Sequence, residues 1–135
     1  MICVVDSGPL YAAADLDDEH HAGCVAALTM PGRLLVIPSL VVAEVTYLIG
    51  TRLGPEAEAV FLASLADYDV AAPFPEEWAR IGELVKRYQD FPLGGTDASV
   101  IALAERLHTP LVATLDRRHF RAVRPAHCDA FEIVP

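Results

Sequence analysis

The sequence lacks the features that mark several classes of protein. Its 135 residues include only three cysteines, an odd number that argues against a disulfide framework. No uninterrupted apolar stretch reaches the roughly 18 residues that a membrane-spanning helix requires. The first residues, MICVVDSG, hold no basic segment, and Asp6 interrupts the apolar run too early for a signal peptide. We therefore expect a soluble, reduced protein of the cytoplasm.

Positive charge is also scarce. Ten basic residues against 19 acidic ones leave a formal net charge of −9, which excludes a uniformly basic nucleic-acid-binding surface but permits a local basic patch. Hydrophobic residues make up 53% of the chain, so the composition is not that of a disordered protein. The chain has the length of one domain and contains no repeat, low-complexity tract or linker. We expect a single domain over residues 1–135.

Short apolar runs alternate with segments of helical spacing. Five runs predict buried strands, at residues 2–5, 34–37, 70–72, 111–113 and 131–134. Helices are predicted from the turn at Pro9 onward and at residues 17–28, 39–53, 56–66, 76–88 and 96–107. Strands that alternate with helices indicate an α/β fold, with a mostly parallel sheet covered by helices on both faces.

Two acidic residues follow predicted strands. We expect Asp6 to follow the first strand directly and Asp116 to follow the fourth directly. Ligands of parallel α/β sheets bind beyond the carboxyl ends of the strands, so these two acids can meet although 110 positions separate them in the sequence. Taken alone, each of them fits a turn-forming aspartate or a helix N-cap better than a functional site.

Two further acids lie in helices. Glu44 belongs to the apolar segment LVVAEVTYLIG, and we expect it to be buried, where an ionised carboxylate is costly unless it is paired, hydrogen-bonded or bound to a metal. A salt bridge to Arg52 or to an arginine elsewhere is the simpler alternative. Asp97 begins a helix after Gly94 and Gly95, where it could serve only to complement the helix dipole.

Together the four carboxylates suggest one site built from oxygen ligands. Clustered carboxylates repel one another, and a hard divalent cation removes that conflict. Ligation by oxygen alone favours Mg²⁺ or Mn²⁺ over zinc. Such a site activates water and stabilises the charge of a phosphoryl-transfer transition state. The predicted catalytic and metal-binding residues are Asp6, Glu44, Asp97 and Asp116.

Four segments, taken in order and spacing, resemble the PIN-domain ribonucleases, and among them the VapC toxins of toxin–antitoxin modules. The segments are VVDSGPL, PSLVVAEV, GGTDASVIALAERL and VATLDRRHF, and the resemblance spans essentially the whole chain. It implies a three-layer α/β/α fold, Mg²⁺- or Mn²⁺-dependent endonucleolytic cleavage of RNA, and metal-binding roles for the same four acids. The Gly-Gly-Thr before Asp97 departs from the family pattern, where larger residues are expected.

The resemblance also implies supporting residues and partners. Ser7 and Thr114 stand where the family often places a hydroxyl, and we expect them to orient the carboxylates or a metal-bound water; ordinary turn and strand-end hydrogen bonding is the alternative. The family further implies a homodimer and a small VapB-type antitoxin whose C-terminal tail blocks the active-site groove.

The segment RRHFRAVR follows Asp116 directly and concentrates positive charge. Four of the nine arginines lie within eight residues, and no acid occurs from residue 117 to residue 128. We interpret the segment as an edge that binds RNA phosphates; a solvated loop with salt bridges is the alternative. The predicted RNA-binding residues are Arg117, Arg118, Arg121 and Arg124.

Two other functions fit parts of the pattern. A metal-dependent phosphohydrolase of small substrates would usually carry a second aspartate two residues after the first, but Gly8 stands there. A PIN-like scaffold that binds RNA or protein without cutting would not require a complete set of acids. The sequence therefore favours a metal-dependent endoribonuclease.

Overall fold

The computed structural model describes all residues from 1 to 135. It contains five strands, seven α-helices and one short 3₁₀-helix. The elements in chain order are β1 (Ile2–Val5), α1 (Ser7–Ala14), α2 (His21–Leu28), β2 (Leu34–Pro38), α3 (Ser39–Arg52), α4 (Pro55–Ser64), the 3₁₀-helix (Leu65–Asp67), β3 (Asp69–Ala71), α5 (Glu77–Arg87), α6 (Gly95–Arg106), β4 (Leu111–Ala113), α7 (Arg117–Ala122) and β5 (Glu132–Val134).

All five strands are parallel and form one sheet in the order β3-β2-β1-β4-β5. The predicted α/β class and parallel sheet are confirmed, and the architecture is a three-layer α/β/α sandwich. The central strands are short and fully apolar because both of their faces are covered. Val4 and Val5 of β1 and Val112 and Ala113 of β4 are completely buried. None of the helices is both long and apolar enough to cross a membrane.

A single apolar cluster of 27 buried residues forms the core. It draws on all three layers, with Val41, Val45 and Ile49 contributed by one face of α3 and Ile101 by α6. Because this core is closely packed, it fixes the positions of α3 and α6, which carry acidic residues near the sheet edge.

One predicted helix boundary is wrong and one helix was not predicted, each for a local reason. The second helix begins at His21 rather than at residue 17, because the Asp15 and Asp18 side chains accept hydrogen bonds from the backbone N–H groups of Asp17 and His20 (3.1 and 2.8 Å). These turns compete with helical hydrogen bonding. The helix α7 was not predicted at all, since its six residues are too few to show a helical period.

Candidate active site

The order of the strands reverses at β1. From β1 the chain continues to β2 and β3 on one side, whereas β4 and β5 are added on the other. The crevice beyond the carboxyl ends of β1 and β4 is therefore a topological switch point, where ligands of such sheets bind. Val5 pairs with Ala113, so the next residues of the two strands, Asp6 and Thr114, lie side by side at this edge.

Asp6 is buried, with 5% of its surface exposed. The Thr114 hydroxyl donates a hydrogen bond to Asp6 Oδ2 at 2.7 Å, whereas Asp6 Oδ1 has no partner. Although Asp6 stands at the N-cap position of α1, its side chain makes no capping hydrogen bond. Burial raises the pKa of Asp6 to about 6 against the opposing hydrogen bond from Thr114, and the negative charges of Asp97 and Glu44 add to the rise.

Glu44 is exposed, so the predicted burial of this residue is wrong. The α3 helix buries only a narrow stripe made of Val41, Val45 and Ile49. The stripe cannot be recognised from the composition of α3, because the opposite side also carries a large hydrophobic residue, Tyr47, which is 71% exposed. Glu44 also forms no salt bridge with Arg52; its carboxylate accepts a hydrogen bond from the Ser7 hydroxyl.

Asp97 lies in the first turn of α6, which begins at Gly95. Burial raises the pKa of Asp97 above its usual range, and the charges of Asp116 and Glu44 raise it further, while His119 opposes them. Asp97 therefore lies within electrostatic range of these three side chains.

Asp116 is the N-cap residue of the unpredicted helix α7. Two residues, Thr114 and Leu115, separate it from the end of β4, so it does not follow the strand directly. Its backbone N–H donates to Thr114 Oγ1 at 3.0 Å. The Asp116 carboxylate caps α7 by accepting from the backbone N–H of His119 at 3.1 Å. It also contacts the His119 ring, with 2.6 Å between Oδ2 and Nδ1. His119 was not among the predicted site residues.

The structure thus places all four predicted acids at one edge of the sheet. Asp6 lies within electrostatic range of Asp97 and Glu44, and Asp97 lies within range of Asp116 and Glu44. In this arrangement no three His, Cys, Asp or Glu side chains are grouped tightly enough to hold a metal ion. Glu44 is engaged by Ser7, and Asp116 by His119.

The chemistry of this cluster fits a hard divalent cation. Its donors are carboxylates and hydroxyls, and neither a cysteine nor a second histidine belongs to it. Asp6 Oδ1 is a buried oxygen with no hydrogen-bond partner, and such an atom is costly to keep without a ligand. Burial raises the pKa values of Asp6 and Asp97, and repulsion from the other carboxylates adds to the rise. A nearby cation would stabilise the ionised form of both groups.

The four predicted RNA-binding arginines are all exposed. Arg117 and Arg118 occupy the first turn of α7, directly after Asp116. The Arg117 guanidinium donates to the carbonyl of Pro135, and that of Arg118 lies over the Phe91 ring, 4.9 Å from its centre. Arg121 lies in the last turn of α7, and Arg124 follows the helix.

Comparison with known proteins agrees with this architecture. The family model of the PIN domain matches residues 3–125. The chain is 35% identical to ribonuclease VapC26 of Mycobacterium tuberculosis over 134 residues, which cover 98% of this chain and 99% of that protein.

Two crystal structures share the fold. VapC20 of Mycobacterium tuberculosis, a Sarcin-Ricin loop cleaving toxin, superposes with a TM-score of 0.82 at 15% identity, over 96% of this chain and 99% of that chain. VapBC2 from Rickettsia felis, bound to a DNA fragment from the promoter of its genes, matches with a TM-score of 0.69 at 18% identity over both chains in full. The chain described here therefore belongs to the PIN domain family.

Proposed function

We propose that the protein is a divalent-metal-dependent endoribonuclease and the toxin of a toxin–antitoxin pair. The observation that carries this proposal is the convergence of four carboxylates, from four separate segments, at the switch point of the sheet. Full-length similarity to a VapC ribonuclease supports RNA as the substrate. We propose the cytoplasm as its site of action, since the proposed substrate is RNA.

The proposed cation is Mg²⁺ or Mn²⁺, held by Asp6, Glu44, Asp97 and Asp116 directly or through water. When bound, it supplies an activated water and stabilises the developing charge on the phosphate. The chain's own residues hold the carboxylates in place. Thr114 fixes one oxygen of Asp6, and Ser7 fixes Glu44.

RNA must approach against the formal net charge of −9. We place the phosphate-binding edge at Arg117, Arg118, Arg121 and Arg124, which are exposed and follow Asp116. Phosphate contacts position a strand without reading its sequence. These arginines would therefore determine how tightly RNA binds rather than which bond is cut.

The proposed partner is a small VapB-type antitoxin. The VapBC2 structure shows that a protein of this fold is found together with its VapB partner. An antitoxin tail that blocks this site would place arginine against the acidic cluster, because guanidinium pairs bidentately with carboxylate. We expect a small open reading frame beside the gene that encodes a protein with a basic C-terminus. We also expect the toxin itself to form a homodimer.

Cleavage of RNA by the purified protein tests the function. We expect cleavage with Mg²⁺ or Mn²⁺, none with EDTA, and a strong loss in Asp97→Asn. The matched control is Asp90→Asn, which changes an exposed acid seven residues earlier and should cut like the wild type. Equal cleavage with EDTA, or by Asp97→Asn, would rule out the proposed site.

A further inference from the structure

His119 holds both oxygens of one acidic residue. Its backbone N–H donates to Asp116 Oδ1 at 3.1 Å, and its ring Nδ1 lies 2.6 Å from Asp116 Oδ2. A carboxylate can only accept at this distance, so Nδ1 carries the hydrogen. The backbone bond alone caps α7. The ring bond is a second interaction that the cap does not require.

The ring of His119 makes another contact that links two parts of the site. It packs against Phe91, with ring centres 4.7 Å apart and planes inclined by 56°. Phe91 belongs to the segment that leads into α6 and Asp97, and the Arg118 guanidinium also lies over the Phe91 ring. The imidazole is largely buried, with 21% of its side chain exposed. It is therefore fixed from two sides, by Asp116 and by the segment before α6.

This arrangement limits how the Asp116 carboxylate can turn. If only the backbone N–H held it, one oxygen would remain free to rotate toward solvent. The second bond, from a ring that is itself packed, removes that freedom. Partners of this kind fix the orientation of ligating side chains in metal sites.

We infer that His119 is a positioning residue, which orients the Asp116 carboxylate toward Asp97 and thereby completes the cation site. The inference rests on the proposed function, since it assigns Asp116 a share in binding the cation. It requires only that Nδ1 donates, and it assigns no contact between His119 and the RNA.

Two polar substitutions and one apolar substitution test this role. His119→Asn places its amide nitrogen where Nδ1 stands, whereas the amide nitrogen of His119→Gln corresponds to Nε2 and cannot make the same bond. His119→Leu removes the donor and keeps the bulk. All three keep the backbone N–H that caps α7. For each variant we would measure kcat, KM for RNA, the Mn²⁺ dissociation constant and the melting temperature.

We expect His119→Leu and His119→Gln to lower kcat and weaken Mn²⁺ binding by about 10–100-fold, the range found for residues that orient metal ligands. KM for RNA should change little. His119→Asn should recover much of both losses at a melting temperature similar to that of His119→Gln. Wild-type Mn²⁺ affinity in His119→Leu, or equal affinities in His119→Asn and His119→Gln, would overturn the inference.

The two hypotheses fail in different ways. If the wild type binds Mn²⁺ but does not cut RNA, the proposed function fails, and the comparison of Mn²⁺ affinities still decides the role of His119. If the wild type cuts RNA and all three His119 variants cut it as well as the wild type does, the positioning role fails and the nuclease assignment stands.

Discussion

The Thr114 hydroxyl connects two acids of the site. It donates to Asp6 Oδ2 at 2.7 Å and accepts from the backbone N–H of Asp116 at 3.0 Å. Asp6 and Thr114 are 108 residues apart in the sequence, and they meet because β1 and β4 are neighbours in register. The Thr114 hydroxyl oxygen thus fixes the orientation of Asp6. It also fixes the start of α7, the helix that Asp116 caps.

Replacing Thr114 by valine should disturb both stability and activity. Thr114→Val keeps the shape of the side chain but leaves the Asp116 N–H unpaired and Asp6 with no hydrogen-bond donor from Thr114. Because Thr114 is fully buried, we expect a loss of about 1–3 kcal/mol in the free energy of unfolding. Thr114→Ser, which keeps both hydrogen bonds, should lose less. Denaturant unfolding measures the stability of both variants, and RNA cleavage measures their activity. If Thr114→Val is as stable as Thr114→Ser, the hydroxyl contributes nothing to stability.

Asp6→Asn should stabilise the metal-free protein, measured in EDTA. With Mg²⁺ or Mn²⁺ present, the same variant should not cut RNA. The carboxylate of Asp6 is buried, its Oδ1 is unpaired and its pKa is raised to about 6, so its charge is costly at neutral pH. Neutralising it should raise the free energy of unfolding by about 1–3 kcal/mol. Asp90→Asn, at an exposed position, should leave the melting temperature unchanged. A lower melting temperature in Asp6→Asn would contradict the account.

The ion pair between Arg80 and Glu105 should make stability depend on pH. Burial alone would raise the pKa of Glu105, but hydrogen bonds from Arg80 (2.7 and 3.0 Å) and from the backbone N–H of Ala126 outweigh burial and lower the pKa below its usual value. The pair joins α5 to α6, which carries Asp97.

A carboxyl whose pKa is lowered on folding binds its proton less readily in the folded state, so it stabilises the fold above its unfolded pKa. That contribution disappears as the pH falls through the folded pKa. Glu105→Gln should therefore lose about 1–3 kcal/mol at pH 7, and the difference from wild type should shrink as the pH falls through the lowered pKa of Glu105. The control is Glu83→Gln, the more exposed partner of Arg80. A difference that is constant with pH would contradict this assignment.

Changing Arg117 and Arg118 together to alanine should weaken RNA binding without moving the cleavage site. Each lost phosphate contact should flatten the dependence of log affinity on log salt by up to about 0.7 for a single strand. The control is the Lys86→Ala and Arg87→Ala double variant, which removes the same charge from exposed positions at the end of α5. If both double variants bind RNA alike, net charge rather than this edge accounts for the affinity.

The sequence predicted the fold well because the strands are short apolar runs bounded by turns. Asp6 could be placed at the sheet edge from its position after β1 alone. Glu44 was assigned to the site for the wrong reason, since composition does not reveal which side of an apolar helix faces water. His119 could not be found, because its role depends on the cap of α7 and on Phe91, 28 residues earlier. A histidine three residues after Asp116 was the one available signal.

Mn²⁺ binding tests most directly whether the four carboxylates share one cation. The affinity can be measured by electron paramagnetic resonance for the wild type, Asp6→Asn, Glu44→Gln, Asp97→Asn and Asp116→Asn, with Asp90→Asn as control. If one cation is shared, each of the four site variants binds Mn²⁺ more weakly than the wild type, and the control binds it equally well. Wild-type affinity in three of the four site variants would contradict a shared site.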